Sequence, residues 1–442
     1  MGIIHISRKK EYKMKKILTG ILALSVACAT IFAAGAKDSG KDDNKPIVIR
    51  LSSRWGGEDA LAVYFRQKIA EFNAQNNGIT IVGDHVTEEK AYFDKLGSQF
   101  ASGTQPEIFI EYGGTRLKDY VESGVLLDLT PYLDADPQWK NSFLPLFEKW
   151  TFSNPKGVYG VPVMLYAIVL YCNQNLLTQH GLSVPANFTE LENACTTLVK
   201  NGVSPFLLGE KNNFRAGHLL NNLVLKTYGT DAVTRLANRS LKYDSPEMLN
   251  LYAKIKEFND KGYFGKNAIG VDNNGEKAAF LSGQTAFRYD GAWFVSDVAS
   301  SSIGKNVKIV AFPSINPKYA GAFQGGAGQG FSITKKDART NEASVKVVKF
   351  LTSQDYYAGL EKACSGGIYP VKFTSLKDTS INDLTVQVKS VIANATAYKD
   401  DIQNYDSETH MLNTVRTALQ GLFIGETPEQ VGANIVQRIK NK

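Results

Sequence analysis

Tryptophans and carboxylates stand in this chain where short apolar runs give way to glycine, and their side chains suit stacking and paired hydrogen bonding. Trp55 follows Arg54 and precedes Gly56-Gly57, a setting in which a ring is hard to bury. Trp293 closes the run Tyr289-Asp290-Gly291-Ala292-Trp293. Burying one aromatic ring is worth up to roughly 4 to 6 kcal/mol, and a planar ring covers one face of a flat solute. Glu58, Glu111 and Asp290 are candidate acceptors, because an ionised carboxylate takes two adjacent hydroxyls and charge-assisted bonds are the stronger kind. Tyr112 follows Glu111 and shares its position. Arg54 and Arg215 are possible donors to hydroxyls or to an anionic substituent. Each residue also has an ordinary reading as a core ring, a solvated carboxylate or a surface ion pair.

Signatures of catalysis are missing from the sequence: it holds no HExxH, no GxSxG, no P-loop, and its five histidines are scattered. Two of the carboxylates could in principle serve a glycoside hydrolase, which stands as the enzymatic alternative. Gly325-Gly326, followed by Gly328-Gln329-Gly330, lacks the dinucleotide spacing and suits close backbone approach instead. Cys172, Cys195 and Cys364 form no CxxC and no metal-ligand pattern; one disulfide with a free thiol, or three buried thiols, fit equally. No metal and no cofactor is expected.

The amino terminus bounds the setting. Lys15 and Lys16 precede an apolar run from Ile17 to Ala34 that ends in Ala34-Gly35-Ala36, the pattern of an export signal over residues 1–36. Met14 opens that pattern as a second possible start, and Cys28 resembles a lipid-acceptor cysteine, although Ser25 and Val26 depart from the usual sequence before it. An uncleaved anchor is the alternative, since the run is barely long enough to cross a bilayer. Loss of residues 1–36 removes six basic side chains and one acidic one, so the formal charge falls from +7 to +2. A nearly neutral chain offers no clustered basic surface for nucleic acid.

The elements that must position these residues follow from periodicity. Ile47–Leu51 reads as a strand, residues 58–73 as an amphipathic helix, Ile79–Val82 as a strand, residues 92–100 as a helix and residues 107–110 as a third strand. That alternation argues for a parallel sheet covered by helices, with ligand groups beyond the carboxyl ends of the strands. Gly103 suits a left-handed helix cap. A second sheet is expected to start at residues 161–163 and 168–171, and helices at residues 190–200, 219–228, 246–261 and 276–282. Trp139 and Trp150 read as packing residues.

Taken in order, six segments carry a resemblance. They are residues 92–107 (YFDKLGSQFASGTQPE), 117–133 (LKDYVESGVLLDLTPYL), 157–177 with 181–198 following, 277–293 (KAAFLSGQTAFRYDGAW), 310–331, and the SGGIYP stretch at 365–370. In that order the chain resembles family 1 extracellular solute-binding proteins, the maltose-binding-like receptors of carbohydrate ABC importers. Tyr171-Cys172-Asn173 replaces the family's frequent Tyr-Tyr-Asn. The resemblance implies an α/β fold of two discontinuous lobes with helix-covered sheets, of the type II periplasmic-binding kind. Residues 46–163 and 325–353 would form lobe one, and residues 164–324 and 354–442 lobe two, with hinges near 162–165, 322–325 and 354. It implies a mono- or oligosaccharide ligand held between the lobes, importer permease subunits as partners, a monomer, and a periplasmic or cell-surface location. Glycerophosphodiesters or another polar solute are the alternative ligands. Trp293 would stack on a sugar ring, Tyr166 would close over it, Gly325 and Gly326 would lie at a hinge, Phe214 and His218 would approach from lobe two, and Tyr369 is a further candidate. One or two stacked rings plus a few charged hydrogen bonds account for the roughly 8 kcal/mol of a micromolar complex.

Overall fold

The computed structural model describes residues 46–144, 146–364, 367–372 and 381–440. The expected export signal, Met14 and Cys28 lie outside them. Strand β1 (Ile47–Ser53) turns its alternate residues Ile49 and Leu51 into the core. The helix Ala60–Ala74 starts where the Asp59 carboxylate accepts the Ala62 N–H at 3.1 Å, and it buries Phe65, Ile69 and Phe72. Strand β2 (Ile79–His85) follows, then the helix Glu89–Ala101 and β3 (Ile108–Glu111). Just past that second helix Gly103 takes a φ of 71°, the left-handed cap that its position predicts.

Strands β1, β2 and β3 pair in parallel, as the alternation predicts. A short hairpin, β4 (Thr151–Ser153) and β5 (Lys156–Val158), precedes β6 (Val161–Pro162). Much later in the chain β11 (Gly330–Ile333) inserts antiparallel between β3 and β6, giving the order β2-β1-β3-β11-β6. Residues 161–163 therefore finish the first sheet instead of starting the second. An apolar run identifies a strand, but its partner here arrives far later in sequence.

The second sheet is built on β7 (Leu165–Asn173), buried along its full length. Its neighbours are β8 (Phe287–Gly291), β9 (Val307–Ala311) and β10 (Ala322–Ala327), with β12 (Ala397–Lys399) at the edge beside β10. Because successive side chains point to opposite faces, Tyr166, Ile168, Leu170 and Cys172 enter one core while Leu165, Ala167, Val169 and Tyr171 enter another. A strand covered on both faces reads as a continuous apolar run, which is how β7 reads in the sequence.

Two of the passages between the sheets are short. Val163 packs with the first core and Leu165 with the second, and β10 hands over to β11 through Gly328 and Gln329. The helix Gln354–Ala363, expected with the second lobe, packs Tyr356, Tyr357 and Leu360 into the first core instead. The Tyr64 hydroxyl donates to the Tyr356 carbonyl at 3.1 Å, and Tyr369 and Val371 remain in the same core. Ile368 packs with the second sheet's core, as Leu384 does further on, so the return to the second sheet comes beyond the position near 354. Trp139 and Trp150 are buried packing residues, as their context predicts.

Cys172, Cys195 and Cys364 are all free thiols, the first two buried, which selects the thiol alternative over a disulfide among them. Lys226 is buried with its ammonium 4.3 Å from the Phe323 ring centre, donating to the Ala320 carbonyl at 2.6 Å. Among the described residues no helix is long and apolar enough to cross a membrane.

Candidate functional site

At the carboxyl ends of the first sheet's strands, the predicted polar residues are found bonded to one another. The Arg54 guanidinium lies 2.6 Å from Glu89 and 2.7 Å from the Tyr112 hydroxyl, which itself donates to Glu89 at 2.8 Å. Glu111, buried at the end of β3, accepts the Tyr112 N–H at 2.7 Å and the Arg116 Nε at 3.0 Å. Burial pushes the Glu111 carboxyl up, and the nearby Arg116 only partly offsets it. Trp55 stands edge-on to Phe65 at 4.7 Å and to Phe331 at 6.2 Å, half-buried against the first core. Glu58 is apart from this group: its side chain is 87% exposed and pairs with Arg66 at 3.1 Å.

In the second lobe the chain delivers Trp293 by a defined route. Strand β8 ends at Gly291, and the single turn Ala292–Phe294 leaves the Trp293 ring 54% exposed. The ring rests 5.6 Å from that of Tyr166, tilted by 38°. Tyr166 is itself buried on β7, its hydroxyl donating to the Asp400 carboxylate. Gly325 and Gly326 pair across from Ala167 and Tyr166. A Cβ on Gly325 would lie 2.3 Å from the Tyr166 carbonyl oxygen, and Gly326 has φ of 113°, so both positions require glycine.

Arg215 and Asp290 are buried in a cluster of ion pairs. Arg215 is completely buried and donates to Glu276 at 2.9 and 2.7 Å, and also to the Tyr289 carbonyl. Arg288 reaches Glu276 at 2.9 Å and Asp290 at 2.8 Å, and Asp290 accepts the Gly291 N–H at 2.8 Å. Burial pushes the Asp290 carboxyl up, but Arg288 and Arg215 outweigh it and hold it below the usual range. Two cations and two anions thus neutralise each other beneath the turn that carries Trp293.

Phe214 precedes the helix Arg215–Tyr228 and sets its ring 5.3 Å from His218. His218 lies 4.0 Å from Asp401, and burial together with Arg416 and Arg215 lowers its pKa to about 3, so it is neutral. Tyr369 is elsewhere, in the first core with its ring 5.3 Å from Tyr357.

Sequence reasoning missed Lys149, Asp400, Asp401, Asn404 and Arg416. Lys149 and Asp400, both buried, form an ion pair, and Asn404 donates to Asp400 at 3.0 Å. Asp401 accepts from Arg416 at 2.7 Å and from Gln324 at 3.0 Å. These acids lie in Lys399-Asp400-Asp401-Ile402-Gln403-Asn404-Tyr405, a polar run that reads as a solvated loop. Only the clustering of Tyr398 and Tyr405 beside the acids hints at burial. A cavity of 310 Å³ opens here, bounded by Lys149, Asp400, Tyr405, Leu165 and Gly325-Gly326.

The two helix-covered sheets form two lobes, and the uncovered Trp293 indole stands beside the strands that join them. The comparisons agree: residues 58–358 match the model of the bacterial extracellular solute-binding protein family, and the chain belongs to that family. It is 22% identical over 298 residues to an ABC transporter extracellular-binding protein of Pyrococcus horikoshii, covering 63% of this chain and 66% of that one. A glucose-binding protein of Saccharolobus solfataricus is 23% identical over 229 residues, 49% of this chain and 39% of the relative. Among solved structures, one from work on xylan utilization by Caldanaerobius polysaccharolyticus has a TM-score of 0.79 at 25% identity, covering 89% of this chain and 100% of that one. A chitin oligosaccharide binding protein also reaches 0.79, at 23% identity, over 89% and 98% of the two chains. A maltose-bound T. maritima receptor reaches 0.71 at 19% identity, over 89% and 99%.

Proposed function

We propose that this protein is the exported receptor of an ABC importer and binds a mono- or oligosaccharide between its lobes without altering it. The observation that carries this reading is the Trp293 ring, left 54% exposed on a buried tyrosine at a strand end. A sugar presents flat faces of C–H groups, and an uncovered indole in a polar surround is the group that would gain most from covering them. The relatives support the ligand class, since their names include glucose, maltose and chitin oligosaccharide. Tyr166, Trp293, Gly325 and Gly326 form the second lobe's share of the site; Trp55, Arg54, Tyr112 and Glu111 form the first lobe's. Arg215 and Asp290 support Trp293 from below. Lobe one takes residues 46–163 and 329–371, and lobe two the remainder of the folded chain.

Ligand that touches both lobes favours the closed arrangement over the open one, and closure is what the permease reads. Thermal-shift screening of a carbohydrate panel, with glycerophosphodiesters and polyamines included, followed by calorimetry on the hits, tests the ligand class. Stabilisation by non-sugars alone would overturn it. Solution scattering at saturating ligand should give a smaller radius of gyration, and an unchanged curve would remove closure as the signal. Release of reducing ends from a bound oligosaccharide would instead make the protein a hydrolase.

A further inference from the structure

The cations around the cleft are not free. Arg54 pairs with Glu89, Arg116 with Glu111, Arg416 with Asp401 and Lys149 with Asp400. The last pair differs from the others in two respects. It is buried at both ends, each residue about 5% exposed, and it joins the lobes. Lys149 precedes Trp150 of the first core and its carbonyl accepts the Gly114 N–H at 2.7 Å, whereas Asp400 follows β12 of the second sheet. Asp400 also takes the hydroxyl of Tyr166, the ring on which Trp293 rests, and it borders the 310 Å³ cavity beside Lys149.

An ammonium walled by Leu165, Tyr405 and two hinge glycines is a strong attractor for a carboxylate. In this chain the carboxylate is supplied by the protein. We infer that Asp400 sets the charge selectivity of the cleft: it occupies Lys149 from within, so the site accepts uncharged sugars and rejects acidic ones. The inference rests on the sugar reading above. A ligand carboxylate entering the cavity would face Asp400 at close range, with Glu148 also on the wall, while the ammonium groups beside it are already bonded, Lys149 to Asp400 and Lys399 to Glu148, and an unpaired like charge in a buried site is a strong discriminator. A neutral hydroxyl meets no such penalty, because Asp400 retains one of its roughly four acceptor positions beyond Tyr166, Lys149 and Asn404.

Calorimetry on the mature chain with matched pairs (glucose and glucuronate, galactose and galacturonate, xylo-oligosaccharides with and without a glucuronyl branch) tests this. The parent should bind the neutral member of the recognised pair at least a hundredfold more tightly than the acid. Asp400→Asn should improve acid binding at least tenfold relative to the neutral sugar, because Lys149 is released. The double variant Lys149→Met with Asp400→Leu, which removes both charges, should narrow the parent's preference for the neutral sugar, because the carboxylate that repels the acid is gone, yet by less than Asp400→Asn, because no ammonium is left there to pair with the acid. Parent affinities within threefold of one another would overturn the inference, as would a double variant whose preference for the neutral sugar equals the parent's. If Asp400→Asn does not fold, the parent and the double variant decide between these outcomes. A protein that binds no sugar fails the reading beneath; one that binds sugars without regard to charge fails this inference alone.

Discussion

The loops after β1 and after β8 begin alike, each with a charged residue, glycine and tryptophan at the end of a strand, yet they fold to opposite ends. In the first, Trp55 is drawn edge-on against Phe65 and Phe331, and Glu58 turns outward to Arg66. In the second, the acid is buried and bonded below while the ring of Trp293 is left uncovered. The cause lies in what each loop has beneath it. The β1 loop sits on apolar side chains that attract the indole; the β8 loop sits on a neutralised cluster of Arg215, Glu276, Arg288 and Asp290, which fixes the turn, and its indole rests on the face of Tyr166. Similar composition at a strand end therefore does not decide between a ring held in a core and a ring left exposed.

The most severe way to break this contrast is Arg215→Leu. It leaves two carboxylates buried with one cation, and removing one partner of a buried pair typically costs about 3 to 5 kcal/mol. Denaturant melts should show that loss, and sugar binding should fall with it because the Trp293 turn loses its base. An acid titration of stability probes the same lobe. His218 refuses a proton in the folded state until about pH 3, whereas the unfolded chain accepts one near 6.5. Its contribution is therefore fully present above pH 6.5 and is lost as pH falls toward 3, with a slope of up to about 1.4 kcal/mol per unit. His218→Gln should flatten that slope.

The two indoles should then separate stability from binding. Trp55→Ala should lower stability by about 2 to 3 kcal/mol, as for a partly buried aromatic, and weaken binding less than that. Trp293→Ala should do the reverse: about 2 kcal/mol of affinity by calorimetry, roughly thirtyfold, and stability unchanged within about 0.5 kcal/mol. Equal effects on both quantities in both variants would dissolve the distinction. Smallest of all, Glu58→Gln should change either quantity by less than about 0.5 kcal/mol, since an exposed pair with Arg66 contributes little.

Much of this was legible beforehand, for identifiable reasons. The order strand, helix, strand, helix, strand over residues 47–111 follows from local periodicity, and it appears in the structure with its parallel pairing. Placement of residues 161–163 was not legible, because their partner β11 lies at Gly330–Ile333 and pairing at that range leaves no local mark. The same holds for the site. Glycine and strand-end position point to Trp293 and Gly325, but the partners of Arg215, on a helix and a strand, lie 61 (Glu276) and 74 (Tyr289) residues downstream of it. Asp400 was hidden for a further reason: a run of acids and amides looks solvated until a lysine from the other lobe is brought against it.

The late arrival of β11 also bears on how the protein is made. The first sheet cannot be completed until Gly330–Ile333 has left the ribosome, because that strand fills the place between β3 and β6. Until most of the chain has been synthesised, β6 and the edge of β3 away from β1 lack their neighbour in this sheet, and long-range pairing of this kind forms slowly. A nascent chain so built carries an unpaired strand edge through most of its synthesis, and an unpaired edge is where a partly made sheet is most open to wrong pairing.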